Sequence, residues 1–328
     1  MKDNNAAKRI LSVSDAEVFR RHGWQAADLH VHTIFSPDVI SVGSMHPEKL
    51  YLRARENGMD YVTFTDHDTL DAYDILNPDM PGLVRGVEIK IKDRSIGHTI
   101  HVNVYELDRG QFQILEEIAT EGDLHGFLDC LETERLPFVY NHPLWFEPGE
   151  RPNLKAIPDL VELFPVIEYN MHRVRRKNEM IVELAERHGK GLIASTDTHS
   201  GMIGQAYTLS RGKSFRKFFN NIRAGKSFIV VGDLTKQNLV HEMKLWLDLL
   251  SGQEDINSKR EIHTGISQVD RLIALLSSNT LRDFPRVYRA FLAATYKLAG
   301  SGLPAALYIR RECFRICQME QQLGIYAH

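Results

Sequence analysis

The sequence predicts an α/β protein closed into a barrel and followed by a run of helices. Three observations predict it. Between residues 25 and 232, short apolar runs alternate with longer amphipathic segments, the pattern of parallel strands joined by helices. About seven or eight such units fit in this stretch, which favours a closed barrel over an open sheet. Beyond residue 233 the strand signal fades and helical periodicity takes over.

In order, the expected strands are 27–30, 61–65, 82–89, 99–105, 137–141, 166–169, 192–195 and 228–231. The expected helices between them are 47–57, 112–118, 125–134, 174–188 and 213–224, with Gly58, Gly189 and Gly225 placed where helices stop. The C-terminal part predicts helices over 239–250, 266–276, 284–298 and 305–323, with 251–258 (SGQEDINS) as a loop. The expected division is an N-terminal segment (1–25), a barrel (26–235) and a helical appendage (236–328), without internal repeats.

At 328 residues and 43% hydrophobic, the chain can bury a substantial core. A formal net charge of -3 gives no whole-molecule basic field of the kind that favours sequence-independent nucleic-acid binding. Three cysteines occur; Cys313 and Cys317 stand four apart in a helical pattern and Cys130 lies alone, so a reduced, cytoplasmic setting is expected. The N-terminus lacks the apolar stretch of a secretory signal, and no run of about 18 apolar residues predicts a membrane span.

The chemistry-bearing residues fall at strand ends. His30 and His32 end the first strand, His67 follows the second, Glu88 lies near the end of the third and His101 in the fourth. His142 follows the fifth, and Asp197 and His199 follow the strand at 192–195. In an α/β barrel the C-terminal strand ends converge on one face, where active sites assemble. Because side chains alternate with period two, His30 and His32 point to one side and can chelate one ion. Mixed His, Asp and Glu donors suit zinc, manganese or iron, and the lack of cysteine argues against a structural thiolate zinc site.

The first motif, AADLHVHTIFSPD at 26–38, and the second, VTFTDHDT at 62–69, resemble those of the polymerase and histidinol phosphatase (PHP) family. GVEIK, HVNVYELD, YNHP, IEYN and STDTHS follow in the family's order, so the resemblance spans roughly residues 26–233. It implies a distorted (β/α)7 TIM-like barrel, the PHP fold, holding three divalent metal ions. Carried over by position, it implies His30, His32, Glu88 and Asp197 on one ion and Glu88, His101 and His142 on a second. Asp38, His67 and His199 would hold the third, Asp38 standing where some relatives have His. No ligand position is empty. The catalytic group expected is water held by the ions on His30, His32, Glu88 and Asp197. A bridging water with its pKa lowered from about 15.7 toward neutrality would attack phosphorus with inversion.

Other residues carry two readings each. Asp66 and Asp68 either orient metal ligands or serve turns and caps. Arg173, in HRVRRK (172–177), either binds a substrate phosphate bidentately or begins a solvated helix. The loop 145–158 offers Trp145, Arg151 and Lys155 to the substrate or is merely surface. Phe215, Phe218 and Phe219 among the cations of 211–226 superficially suit single-stranded nucleic acid, but helical spacing favours packing inward. Tyr288, Phe291, Leu292, Thr295 and Leu298 share a face expected to dock on the barrel or a second subunit. His98 rivals His101, but only His101 falls on the strand where the family places a ligand. His46, His125, His188, His241, His263 and His328 are expected to be structural or solvated.

The expected function is metal-dependent hydrolysis of a phosphoester on a small phosphorylated metabolite or nucleotide. One alternative is a 3′–5′ exonuclease or oligonucleotide-trimming hydrolase acting on short oligonucleotides. Another is a metal-stabilised scaffold binding a partner through the helical tail. The expected partners are the small substrate and a second copy through the C-terminal helices, with no membrane.

Overall fold

The computed structural model describes residues 9–232, 234–252 and 267–325. Ten strands form one curled sheet: β1 (Ile10–Leu11), β2 (Gln25–Asp28), β3 (Tyr61–Phe64), β4 (Leu83–Ile91), β5 (Ile100–Tyr105), β6 (Phe138–Tyr140), β7 (Val166–Asn170), β8 (Gly191–Ser195), β9 (Tyr207–Ser210) and β10 (Ser227–Val230). Their spatial order is β1-β10-β9-β2-β3-β4-β5-β6-β7-β8. The helices packed about it are α1 (Val13–Arg21), α2 (Pro47–Glu56), α3 (Arg109–Glu121), α4 (Leu124–Thr133), α5 (Ile157–Leu163), α6 (Arg175–Arg187) and α7 (Phe215–Arg223). The C-terminal part holds α8 (Lys236–Ser251), α9 (Ser267–Leu276), α10 (Asn279–Arg282), α11 (Pro285–Gly300) and α12 (Leu303–Leu323).

The sheet is the expected TIM-like α/β barrel, with two departures from a wholly parallel one. β5 is antiparallel to both β4 and β6, and β9 to both β2 and β10. The connection between β4 and β5, residues 92–99, is too short for the crossover of about a dozen residues that a parallel pair needs. The segment before residue 25 also joins the fold, since β1 pairs with β10 and Ala16 of α1 is buried. A two-residue strand has no periodicity to read, which is why it was invisible in the sequence. β9 and α5 were likewise not expected; the expected loop 145–158 ends in a 3-10 turn (Leu154–Ala156) and the start of α5. Ser251 closes α8 instead of opening a loop. The rest of the 251–258 loop beyond Gly252, with His263 and His328, lies outside the described residues.

Period two along the strands divides the lumen into tiers. Val166 and Glu168 on β7 share a face, as do Val84 and Glu88 on β4. Ala27, Leu29, Val84, Tyr105, Val139, Val166 and Ile193 pack with Phe215, Phe218, Phe219 and Ile222 of α7. Val84 and Val166 among them stand at the N-terminal ends of parallel strands, and Tyr105, the last residue of β5, joins them because β5 runs backwards. The α7 phenylalanines are therefore buried, while Arg216, Lys217 and Arg223 are exposed, as their helical spacing predicted. The opposite tier carries Glu88, His101, Asn141, Glu168 and Ser195, all buried. An antiparallel β5 places His101 at its start rather than its end, and so on the same face as the other candidates.

The sheet closes with a seam. β8 meets β9 through one hydroxyl: Ala194 N donates to Thr208 Oγ1 (2.9 Å), which donates to Ala194 O (3.1 Å). At the site end, Val31 bridges Thr198 in parallel register, and the buried Asp28 carboxylate accepts from Thr196 N (3.0 Å), Thr196 Oγ1 (2.6 Å) and Gly204 N (3.0 Å).

The C-terminal helices cover two faces of the barrel. Ile316, Met319 and Leu323 of α12 enter the main core, and Leu247, Leu250, Leu276 and Ala299 enclose Ile40. Tyr288, Phe291 and Leu292 pack into this second cluster and Thr295 is buried, but Leu298, expected on the same face, is exposed. Helix 3.6-periodicity explains the miss: residue 298 lies ten beyond Tyr288, nearly 80° off its direction by about 100° per residue. Among the described residues no helix is long and apolar enough to cross a membrane.

Candidate metal centre

His30 and His32 lie just past β2 in backbone kept extended by its neighbours. Thr65 N donates to Val31 O (2.8 Å), and His32 N donates to Thr198 O (3.1 Å). The two imidazoles are fully buried with their Nε2 atoms 3.1 Å apart. Glu88 stands at the centre: Oε2 lies 2.9 Å from His30 Nε2 and 3.3 Å from both His32 Nε2 and His67 Nδ1. Its Oε1 lies 3.0 Å from His101 Nδ1 and 3.3 Å from His142 Nε2. Asp197 Oδ1 is 3.3 Å from His32 Nε2 and 3.4 Å from His30 Nε2. Asp38 Oδ2 reaches His199 Nε2 at 2.9 Å and His67 Nε2 at 3.2 Å. All nine residues singled out in the sequence thus converge on one face of the barrel.

These donors fit divalent cations. Ligand atoms lie within 4.8 Å of one another in four groups: His32, Asp38, His67 and His199; His30, His32 and Asp197; His30, Glu88 and His142; His67, Glu88 and His101. Imidazole nitrogens and carboxylate oxygens converging in a buried site are a donor set suited to divalent cations. His67 Nδ1 is buried without a hydrogen-bond partner among the described residues. The groups overlap differently from the partition the resemblance implies: His32 also joins Asp38, His67 and His199, Glu88 is absent from the group of His30, His32 and Asp197, and Glu88 meets His142 beside His30 and His101 beside His67. The outer nitrogen of His101 faces Glu147 Oε1 at 3.1 Å.

Electrostatics ties the cluster together before any ion is considered. Burial pushes the His30 imidazolium down, but Glu88, Asp197 and Glu168 outweigh it and hold its pKa well above the usual histidine range. Burial likewise opposes charge on His32, yet bonds to Asp197 and Glu88 lift it to about 10. Glu88 and Asp197 are correspondingly held well below the carboxylate range by their histidines, against the penalty of burial. His67 is the exception: burial wins over Glu88 and Asp38 and drops it to about 4, leaving a neutral ring able to donate a lone pair.

The supporting shell contains a residue the sequence reading quoted within IEYN but did not assign. Glu168 accepts from His30 Nδ1 (2.7 Å), from His142 N (2.8 Å) and from Ser195 Oγ. It fixes the tautomer that turns His30 Nε2 toward Glu88. Its position two residues beyond Val166 on an inward face was the signal available. Asn141 donates to Glu88 Oε1 (2.9 Å) and Asn170 to Asp197 Oδ2 (2.9 Å). His142 (φ 29°) and Asp197 (φ 48°) both hold left-handed backbone, a cost of about 1–3 kcal/mol each that this network must sustain. Glu168→Gln is expected to weaken manganese binding by about 10- to 100-fold, measured by calorimetry. Asp66 and Asp68 serve the backbone instead: Asp66 accepts from Thr33 N (2.6 Å) and Thr33 Oγ1 (2.7 Å), and Asp68 from Lys90 N (3.1 Å).

Two walls rise beside the cluster. On one, Trp145 meets His101 and His142 edge-on, and the Arg173 guanidinium lies 5.3 Å from its ring centroid. Arg173 also reaches Asp197 Oδ2 at 3.5 Å, and its Nε is buried without a partner among the described residues. Arg151 and Lys155 are exposed, and neither bonds to the cluster among the described residues. The other wall comes from α8, where Trp246 stacks on His199 with centroids 6.5 Å apart. Sequence periodicity gave Trp246 no role because it reads as one more apolar position on a helix. His98 is buried against Phe146, apart from the ligand groups.

Fold and site define a class, an α/β barrel with a cluster of candidate divalent-metal ligands at one end. A family model described as PHP-associated matches residues 175–227. That match covers a part of the chain; the ordered motifs and the convergent donors are likewise similar to those of the PHP family. No curated protein matches the sequence. Among solved structures it is similar to PsfC from Pseudomonas syringae (16% identity, TM-score 0.48, covering 69% of this chain and 96% of that one). It is similar to a lesion-specific endonuclease from Pyrococcus furiosus (14%, 0.47, 63% and 57%). A third is a Bifidobacterium adolescentis protein described as a metal-dependent phosphoesterase (16%, 0.35, 52% and 87%). These likenesses are too distant to inform the site.

Proposed function

We propose that the protein hydrolyses the phosphoester of a small phosphorylated metabolite or nucleotide with a trinuclear centre of zinc, manganese or iron. The observation that carries this reading is Glu88, whose two oxygens face five imidazoles at 2.9–3.3 Å. His30, His32, Glu88 and Asp197 would hold one ion; Glu88, His101 and His142 a second; Asp38, His67 and His199 a third. The chemistry such ions supply when bound is a water ionised near neutral pH and positive charge for the phosphoryl oxygens.

The chain's own residues orient and enclose. Glu168, Asn141 and Asn170 fix the donors, so little reorganisation accompanies the reaction. The Arg173 guanidinium, packed on Trp145, offers its unpartnered Nε–H to a phosphoryl oxygen. The two tryptophans exclude water from either side. Burial of Phe215, Phe218 and Phe219 supports a small substrate over an oligonucleotide, because it removes the one stacking platform the sequence offered.

The test is turnover with manganese of p-nitrophenyl phosphate, its bis ester, nucleoside monophosphates and a short labelled RNA, in 18O water. Monoester turnover with label in the phosphate is expected. Cleavage of RNA alone would favour the exonuclease reading, label in the alcohol would overturn attack at phosphorus, and no turnover of any substrate would leave the scaffold reading.

A further inference from the structure

The C-terminal helices leave an apolar and cationic face uncovered. Half of the large apolar residues that stay exposed among the described residues fall between Leu275 and Phe314. On α12, Leu303, Leu307 and Phe314 are 56%, 57% and 69% exposed. At about 100° per residue they lie within about 40° of one another, opposite Ile316, Met319 and Leu323, which enter the core. Arg310 and Arg311, both exposed, border this stripe on its two sides. Leu307, Arg310, Arg311, Phe314, Arg315 and Gln318 line an open hollow of about 550 Å³. α11, which leads into α12 through Ser301 and Gly302, exposes Val287 and Leu298 together with Arg286, Arg289 and Lys297.

Charge decides what covers this face. From 284 to 325 no aspartate or glutamate is exposed: Glu312 is buried against Lys177, and Glu320 accepts from Arg176 Nε (2.5 Å). The face therefore offers only cations and apolar groups, on a chain whose formal net charge is -3. A second copy docked by the same face about a two-fold axis would set these arginines against their own counterparts, and like charges so placed oppose docking. A phospholipid surface supplies both missing partners, phosphates for the guanidinium groups and acyl chains for Leu303, Leu307 and Phe314. It asks for no shape match from side chains that project, and the arginine stems can lie along the apolar stripe while their heads reach the phosphates. We infer that the outer face of α12 seats on an anionic phospholipid surface. The attachment is peripheral, since among the described residues no helix is long and apolar enough to cross a membrane. The expected absence of a membrane partner assumed that these helices bury their apolar residues, and those of this stripe are exposed.

The test is flotation of the full chain with vesicles of phosphatidylcholine alone and of phosphatidylcholine mixed equally with phosphatidylglycerol. Partition into the mixed vesicles is expected to exceed that into the neutral ones by about tenfold or more at low salt, and to fall at high salt. Replacing both arginines, Arg310→Ala with Arg311→Ala, is expected to weaken partition into the mixed vesicles by about tenfold or more. Phe314→Ser is expected to weaken it by about tenfold as well, through the lost apolar burial. Both variants alter exposed side chains, and circular dichroism checks that their fold is kept. No partition, or equal partition into the two kinds of vesicle, would overturn the inference. Partition that Phe314→Ser leaves unchanged would overturn the seating of the apolar stripe. A dimer in sedimentation that Phe314→Ser dissociates, without vesicle binding, would overturn it in favour of a second copy.

Discussion

Glu88→Gln is expected to lower kcat/KM by about a thousandfold or more while the chain remains folded. The carboxylate lies within 3.3 Å of nitrogens from His30, His32, His67, His101 and His142. Gln keeps the volume and one acceptor but removes the charge that would serve two ions. A loss of several kcal/mol of charge stabilisation corresponds to roughly three powers of ten in rate. Metal analysis of the dialysed variant is expected to show at least one ion fewer per chain. Full activity with full metal content would refute the centre. His32→Ala and Asp197→Asn test its two neighbours in the same assay.

The second large effect is on stability. Lys177 of α6 and Glu312 of α12 form an ion pair at 2.5 Å with side chains 5% and 6% exposed, and Arg315 braces Glu312 at 3.1 Å. Lys177→Met leaves the Glu312 carboxylate buried without its main partner, which costs about 3–5 kcal/mol. Urea unfolding is expected to show that loss, and Lys177→Met with Glu312→Leu is expected to recover most of it, since an apolar pair of similar volume is often neutral. An unchanged midpoint in the single variant would mean that α12 does not hold α6 in solution.

Much of the barrel was legible because each strand is a buried apolar run, and runs such as Val166–Asn170 and Gly191–Ser195 are bounded by clear turn or helix signals. The donors were legible because six histidines recur at the ends of those runs. Three things resisted. The reversed sense of β5 lay in the length of a connection, not in any residue type. β9 escaped because Thr208 and Ser210 interrupt its four residues, Tyr207–Ser210, so it lacks the apolar run that marks the other short strands. Trp246 escaped because nothing in a helical pattern says which element it will lean against; its meaning arises only from where α8 docks.

The closing seam has a mechanical consequence at the site end, where the segments following β2 and β8 meet. His30 and His32 stand on one side of it and Asp197 and His199 on the other, and few backbone bonds join the two banks. An ion shared by His30, His32 and Asp197 would be a clasp linking chain positions separated by almost the whole barrel, and clips closing long loops constrain the unfolded chain most. Removing metal should accordingly loosen the rim before the apolar floor, so that amide exchange quickens first around residues 194–199 while the strands above α7 stay protected.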